Sequence, residues 1–342
     1  MKIKEIAQIA GVSLATVSRV INDSGYVKKE KRELVLKVMQ ELNYSKGVQQ
    51  QKKIAKSSRI GFIIPDITNP FFSEVLKGMY NVTEREKLNI IIFDTNEDVG
   101  REIDALEMLK EQNIKGLVIA PTTDQNEYFR QYLEQIESLG VPIILLDRDI
   151  KFSHYDAVYV DNIQGSCDAV QALITEGHEK IAILLATFAS RPGRDRFAGY
   201  QKAMLMNGIP VDDKYIFHGN PKFESGYELA KQVITMKDPP TAIFSFNNVM
   251  TMGCLKAFRE LNVKIPEDMA FIGFDDIDFI NIMDLQISVV DRPTYQMGKI
   301  AMEMLVERIN EEKDAIIQKA PVKEVILPTK LVLRGSEKYI TK

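Results

Sequence analysis

Apolar residues recur every three or four positions through the first 44 residues, then in short unbroken runs from Ile60 onward. That change of period divides the chain. Ile3, Ile6, Ala7 and Ala10 fall at helical spacing before Gly11-Val12, and Ser13 is a good N-cap for the stripe Val17, Val20 and Ile21. Leu34, Val35, Val38 and Leu42 form a third stripe. Three short helices, two of them joined by a tight glycine turn, predict a helix-turn-helix over 1–44. The stretch 45–58, "SKGVQQQKKIAKSS", is polar and basic, with only Val48 and Ile54 as sizeable apolar residues. It cannot build a core and reads as a hinge.

From Ile60 the runs "IGFIIPD", "NIIIFDT", "GLVIAPT" and "PIILLDR" are each followed by an amphipathic segment of helical length. A second series follows with "KIAILLA", "YIFHGN", "TAIFSFN" and "MAFIGFD", after a break at "AVYVDN". Continuous apolar strands alternating with helices predict parallel sheets covered on both faces. The expected fold class is therefore a small all-α helix-turn-helix head plus an α/β core, 59–342, of two doubly wound parallel-sheet lobes. Ligands in such lobes bind where the strands end.

With Val17, Val20 and Ile21 turned inward, Leu14, Ala15, Ser18, Arg19 and Asn22 share the opposite side of the second helix. An exposed leucine there makes sense if that face meets something other than water. Charge points to the partner. Residues 1–59 carry thirteen Lys/Arg against five Asp/Glu, whereas the rest of the chain carries 31 against 43. A basic head on an acidic body fits a polyanion, and a helix fits the DNA major groove. There Arg19 can reach guanine with two parallel bonds, and Leu14 and Ala15 can meet a thymine methyl. The duller alternative is a solvated basic face without a partner.

Composition narrows the rest. Cys167 and Cys254 are the only cysteines, which implies no disulfide framework and a reducing compartment. The start "MKIKEIAQIAG" has no long apolar run, and no stretch of about 18 apolar residues occurs, so a cytoplasmic protein without a membrane partner is expected. His154, His178 and His218 show no metal-ligand spacing, and no phosphate-binding or nucleophile-elbow motif appears. Neither an enzyme nor a resident cofactor or metal is expected.

The stretch "IKEIAQIAGVSLATVSRVIN" followed by "ELNY" resembles the DNA-binding head of the lac repressor and galactose repressor family. "IGFIIPDITNPFF", "LDRD", "GHEKIAIL", "RDRFAGY", "IPEDMAFIGFDD" and "DRPTYQMGKIAMEML" match that family's regulatory core in order. The core motifs alone would also fit a sugar-binding transport protein. The resemblance implies a ligand-responsive regulator, most often a repressor of carbohydrate genes, that binds a near-palindromic operator as a homodimer. It implies phosphate contacts from Ser13, Thr16, Asn22 and Tyr26, with Lys2 adding charge, and operator selection by Leu14 and Ala15. It implies lobes of about 59–161 with 292–322, and 162–291 with 323–342, the chain crossing near Asp161, Asp291 and "KAPVKEV".

The hinge departs from the family, with "YSKG" for the usual "Y-x-P-N". Ile54 is the nearest candidate for a minor-groove wedge, and packing on the core is the equal alternative. A phosphoprotein partner docking near Tyr295 is a rival to the small effector, although Glu303 would oppose it.

The resemblance places Asn69, Phe71, Phe72, Asp147, Arg148, Arg196, Phe223, Asn247, Asp275 and Arg292 around the effector. Such side chains suit a polyol, with carboxylates and amides for hydroxyls and aromatic faces for C–H surfaces. Phe71 and Phe72 also read as core, and Asp147 with Arg148 as an ion pair. Arg292 stands where the family commonly has glutamine. A free guanidinium there, with Arg191 and Arg194 nearby, would favour an anionic effector such as a sugar acid or sugar phosphate. If Arg292 instead pairs with Asp275, Asp276 or Asp291, the effector is a neutral sugar. Met79, Met297, Met302 and Met304 fit either an adaptable interface or core.

Overall fold

The computed structural model describes residues 3–22, 25–41, 58–122, 129–277, 285–311 and 321–339. The chain divides into two compact units, Met1–Ser57 and Ser58–Lys342.

In the first unit, α1 (Ile3–Ile9), α2 (Leu14–Asn22) and α3 (Lys29–Glu41) enclose a small core of Ile6, Ala7, Ala10, Val17, Val20, Val35, Val38 and Met39. Gly11, at φ 59°, makes the turn between α1 and α2 in a conformation that costs glycine nothing. One expected core position is corrected. Leu34 is exposed, and Met39, one turn beyond Val35, takes the inner place. Leu42 lies outside the described residues.

The second unit begins with β1 (Arg59–Ile64), α4 (Pro70–Glu86), β2 (Asn89–Asp94), α5 (Val99–Glu111), β3 (Leu117–Ile119), α6 (Phe129–Ser138), β4 (Ile143–Leu146) and β5 (Asp156–Val160). It continues with α7 (Asn162–Thr175), β6 (Ile181–Leu185), α8 (Arg191–Met206), β7 (Ile216–His218), α9 (Phe223–Ile234), β8 (Ala242–Ser245), α10 (Asn248–Glu260), β9 (Ala270–Phe274) and β10 (Ser288–Asp291). It closes with α11 (Thr294–Glu311), β11 (Glu324–Leu327) and β12 (Lys330–Val332).

The strands form two six-stranded sheets, ordered β11-β5-β4-β3-β1-β2 and β12-β10-β9-β8-β6-β7. Every pairing is parallel except β10 with β12. The buried runs explain this: β1, β3, β4, β5, β6, β8 and β9 are apolar along almost their whole length because helices cover both faces. The order reverses between β1 and β3 in the N-lobe and between β6 and β8 in the C-lobe. Each lobe thus opens a crevice at the carboxyl ends of its strands.

The chain passes between lobes at Asp161, at Arg292–Pro293 and at Pro328–Thr329. The last crossing corrects the expected boundary at 322/323. Glu324–Leu327 pairs with β5 as the N-lobe edge strand, and Pro328, which has no N–H to donate, ends that ladder. Helix α11 returns to the N-lobe and lies against α4. A Cβ on Gly78 would stand 2.0 Å from the Tyr295 carbonyl, and one on Gly298 would stand 1.9 Å from that of Val75. Met79, Met297, Met302 and Met304 are buried in this lobe's core, so they serve as packing and not as an exposed adaptable face.

Candidate functional site

The head presents one face of α2. Ser13 accepts from the Thr16 N–H at 3.2 Å, and its hydroxyl lies 2.9 Å from that of Thr16, which caps the helix. Val17 and Val20 are buried, whereas Leu14 is 47% exposed and Ala15 and Arg19 are exposed beside it. Thr16 and Ser18 are half-buried. The Arg19 stem runs past Gly25, where a Cβ would lie 3.8 Å from its Cδ. Tyr26 is 86% exposed just beyond. Ser13, Leu14, Ala15, Arg19 and Tyr26 are therefore all open at the surface of the head. Lys2, Ile54 and the side chain of Asn22 lie outside the described residues.

The core presents a cleft built from strand ends. From the N-lobe, Asp66, Asn69, Phe71 and Phe72 follow β1, Glu97 follows β2, and Asp147 and Arg148 follow β4. From the C-lobe, Ser190, Pro192 and Arg196 follow β6, Pro221 follows β7, Phe246 and Asn247 follow β8, and Asp275 follows β9. Arg292, on the crossing after β10, closes the set. Nine of the ten expected effector residues converge here.

Phe223 is not among the side chains that line the cleft. It opens α9 half-buried, with the Lys256 ammonium 5.8 Å from its ring centre, and the aromatic wall comes from Phe246 instead. Asp66, Glu97, Ser190, Pro192, Pro221 and Phe246 were missed. All follow strands at their carboxyl ends, which was the signal available.

Caps position several members. Asn69 caps α4 by accepting from Phe71 N–H at 3.0 Å, and Asn247 caps α10 by accepting from Met250 N–H at 2.8 Å. Phe71 and Phe72 do both expected jobs, packing in the N-lobe core and lining the cleft. Their rings meet edge to face at 4.8 Å.

Electrostatics are set by arginines. Arg148 does not pair with Asp147. It meets Glu97 through two bonds of 2.7 and 2.8 Å, and donates to the carbonyls of Pro121 and Thr122. Arg292 is 5% exposed and lies between two buried aspartates. It donates through Nη1 to Asp147 Oδ1 at 2.6 Å, through Nη2 to Asp275 Oδ2 at 2.9 Å and through Nε to Asp275 Oδ1, with its guanidinium 4.0 Å from the Phe71 ring centre. Burial alone would lower its pKa, but Asp275 and Asp147 more than offset that and raise it.

Both aspartates hold left-handed backbone, φ 63° at Asp147 and φ 73° at Asp275, a region that aspartate tolerates better than most residues. Arg191 and Arg194 are also engaged, the first with Asp195 at 3.3 Å and the second with Asp149 at 3.0 Å.

Arg196 differs. It donates to Asn162 Oδ1 at 2.9 Å and to the Phe246 carbonyl, and its guanidinium lies 3.6 Å from the Phe274 ring centre. Burial first, and then the charge of Arg292, pull its pKa down to about 9. The space left open among the lining residues is about 30 Å³, room for roughly one water.

Among the described residues no group of three or more His, Cys, Asp or Glu could hold a metal ion. No helix among them is long and apolar enough to cross a membrane.

Comparison with known proteins agrees with both halves. Residues 2–46 match the bacterial regulatory proteins of the lacI family, and residues 170–337 match a periplasmic binding protein-like domain. The chain is 33% identical over 311 residues to the HTH-type transcriptional repressor PurR of Photobacterium profundum, covering 91% of this chain and 92% of that protein. It is 32% identical over 313 residues to the HTH-type transcriptional regulator RegA of Clostridium saccharobutylicum, covering 91% and 93%.

The crystal structure of a putative ribose operon repressor from Burkholderia thailandensis superposes with a TM-score of 0.71 at 28% identity, over 81% of this chain and 99% of that one. The lac repressor dimer bound to operator and the anti-inducer ONPF shares the fold at a TM-score of 0.71 and 23% identity, over 99% of each chain. The chain belongs to the lacI family of bacterial transcription regulators.

Proposed function

We propose that this regulator is a repressor that grips a near-palindromic operator through the exposed face of α2, as a homodimer, and reads an uncharged polyhydroxylated small molecule, a sugar, in the interlobe cleft. The DNA half rests on the surface that joins Leu14, Ala15 and Arg19 to the phosphate-reaching candidates Ser13 and Tyr26. Two such heads would meet two half-sites.

One observation carries the effector half: Arg292 is already matched by Asp147 and Asp275. An anion entering there would face two carboxylates whose cation is spoken for. Hydroxyls can donate to those same oxygens, and Phe71, Phe72 and Phe246 offer faces to the ring carbons. Arg196 remains as a donor to a hydroxyl or ring oxygen. The reading is of a binding protein and not a catalyst, in keeping with relatives that are transcription regulators.

Calorimetry with matched pairs, each a neutral sugar and its phosphorylated or oxidised counterpart, tests the effector. Tighter binding of the neutral members is expected, and tighter binding of the anions overturns it. To control DNA, the effector must separate the gripping and released states by about 1–3 kcal/mol.

A further inference from the structure

We propose that Arg292 is a built-in occupant of the cleft: it ties Asp147 of the N-lobe to Asp275 of the C-lobe, so the unliganded core rests closed, and an effector enters by taking these two carboxylates from it. The proposal rests on the reading of the cleft as the effector site.

Position makes the tie possible. Arg292 is the residue at which the chain leaves β10 of the C-lobe for α11 of the N-lobe, and its side chain turns into the floor between them. One guanidinium edge holds Asp275 through two nitrogens, and Nη1 reaches Asp147 at 2.6 Å.

Burial makes it the dominant contact across the cleft. Among the described residues, other contacts also join the lobes: Asn248 to Asn69 at 3.0 Å, Arg194 to Asp149 at 3.0 Å, Lys222 to Asn96 at 3.1 Å, and Arg191 over the Tyr159 ring at 3.9 Å. The Arg194 and Asp149 side chains are 30% and 24% exposed, so water screens them. The Arg292 and Asp147 side chains are 3% and 8% exposed, and separating them would strand buried charge.

Occupancy follows from space. About 30 Å³ stays open with the tie made, so a sugar cannot enter beside it.

The test needs no ligand. Spin labels on Phe152→Cys and Leu205→Cys, one exposed site in each lobe, report the lobe separation by double electron–electron resonance in the full chain. The native Cys167 and Cys254 are buried, and dilution into unlabelled chain restricts the readout to distances within one molecule. The parent should give one narrow distribution. Arg292→Gln should shift and broaden it. Asp147→Asn cuts only the N-lobe leg, keeps a residue that accepts left-handed backbone, and should shift it the same way.

Circular dichroism identifies any variant that fails to fold, in which case the other one decides. Distributions unchanged from the parent in the folded variants overturn the tie. Because no sugar is present, that failure is separate from failure of the neutral-sugar reading, which the calorimetry decides.

Discussion

Asn248 Nδ2 donates to Asn69 Oδ1 at 3.0 Å across the cleft, and the same Asn69 oxygen accepts the Phe71 N–H at 3.0 Å to cap α4. One side-chain amide thus starts the helix that carries Phe71 and Phe72 and touches the opposite lobe. Asn69→Ala should cost about 1–2 kcal/mol in urea unfolding, the size of a lost cap plus a half-buried bond. Asn69→Asp, which keeps the acceptor, should recover most of it.

The close approach of α4 and α11 makes a sharper prediction. Gly78→Ala places a methyl 2.0 Å from the Tyr295 carbonyl, too close to be accommodated unless the two helices are forced apart. A loss of at least about 2 kcal/mol is expected from overpacking. The double variant with Gly298→Ala should lose less than the sum of the two single losses, because the first substitution already separates the helices. Denaturant midpoints of the single and double variants check this.

His178 gives a pH dependence with a definite sign. Its ring is buried, with Nδ1 2.9 Å from the Thr241 hydroxyl and Nε2 3.2 Å from the Glu337 carbonyl, next to Tyr339. Burial lowers its pKa from 6.5. The unfolded chain therefore binds the proton more readily than the folded one. The stabilisation is present above 6.5 and is lost as pH falls through the lower folded value. Unfolding midpoints should fall on acidification more steeply for the parent than for His178→Gln. Parallel curves would contradict this.

Much of this was readable in the sequence because burial leaves a periodic trace. The eight quoted apolar runs became β1–β4 and β6–β9, and the inward set Val17, Val20 and Ile21 put Leu14 and Arg19 outside. The strand-end rule collected Asn69, Asp147, Asn247 and Asp275 into one cleft.

What escaped depends on tertiary partners. Asp275, 17 residues away, was among the expected partners of Arg292, but Asp147, 145 residues away, was not. Leu34 and Met39 are equally apolar on one helix, so only its packing angle chooses between them. Phe223 and Phe246 both follow strands, and only the second lines the cleft. Glu324–Leu327 alternates between exposed and half-buried positions, and a half-covered edge strand is weakly marked in sequence.

On the head, side chains should separate by role. Arg19→Ala should cost about 1–3 kcal/mol on the best duplex and relax preference at one base pair. Tyr26→Phe or Ser13→Ala should weaken all duplexes alike, since phosphate contacts fix register without reading sequence. Competition among randomised duplexes distinguishes the two patterns.

Control of a DNA-reading basic head by the cleft can be followed in solution. Fluorescence anisotropy of duplexes from the region around its own gene, at two salt concentrations and with increasing neutral sugar, tests it most directly. Tight binding is expected that weakens steeply with salt, is lost in Arg19→Ala, and changes severalfold when the sugar is added. Salt-insensitive binding that neither Arg19→Ala nor any sugar alters would contradict it.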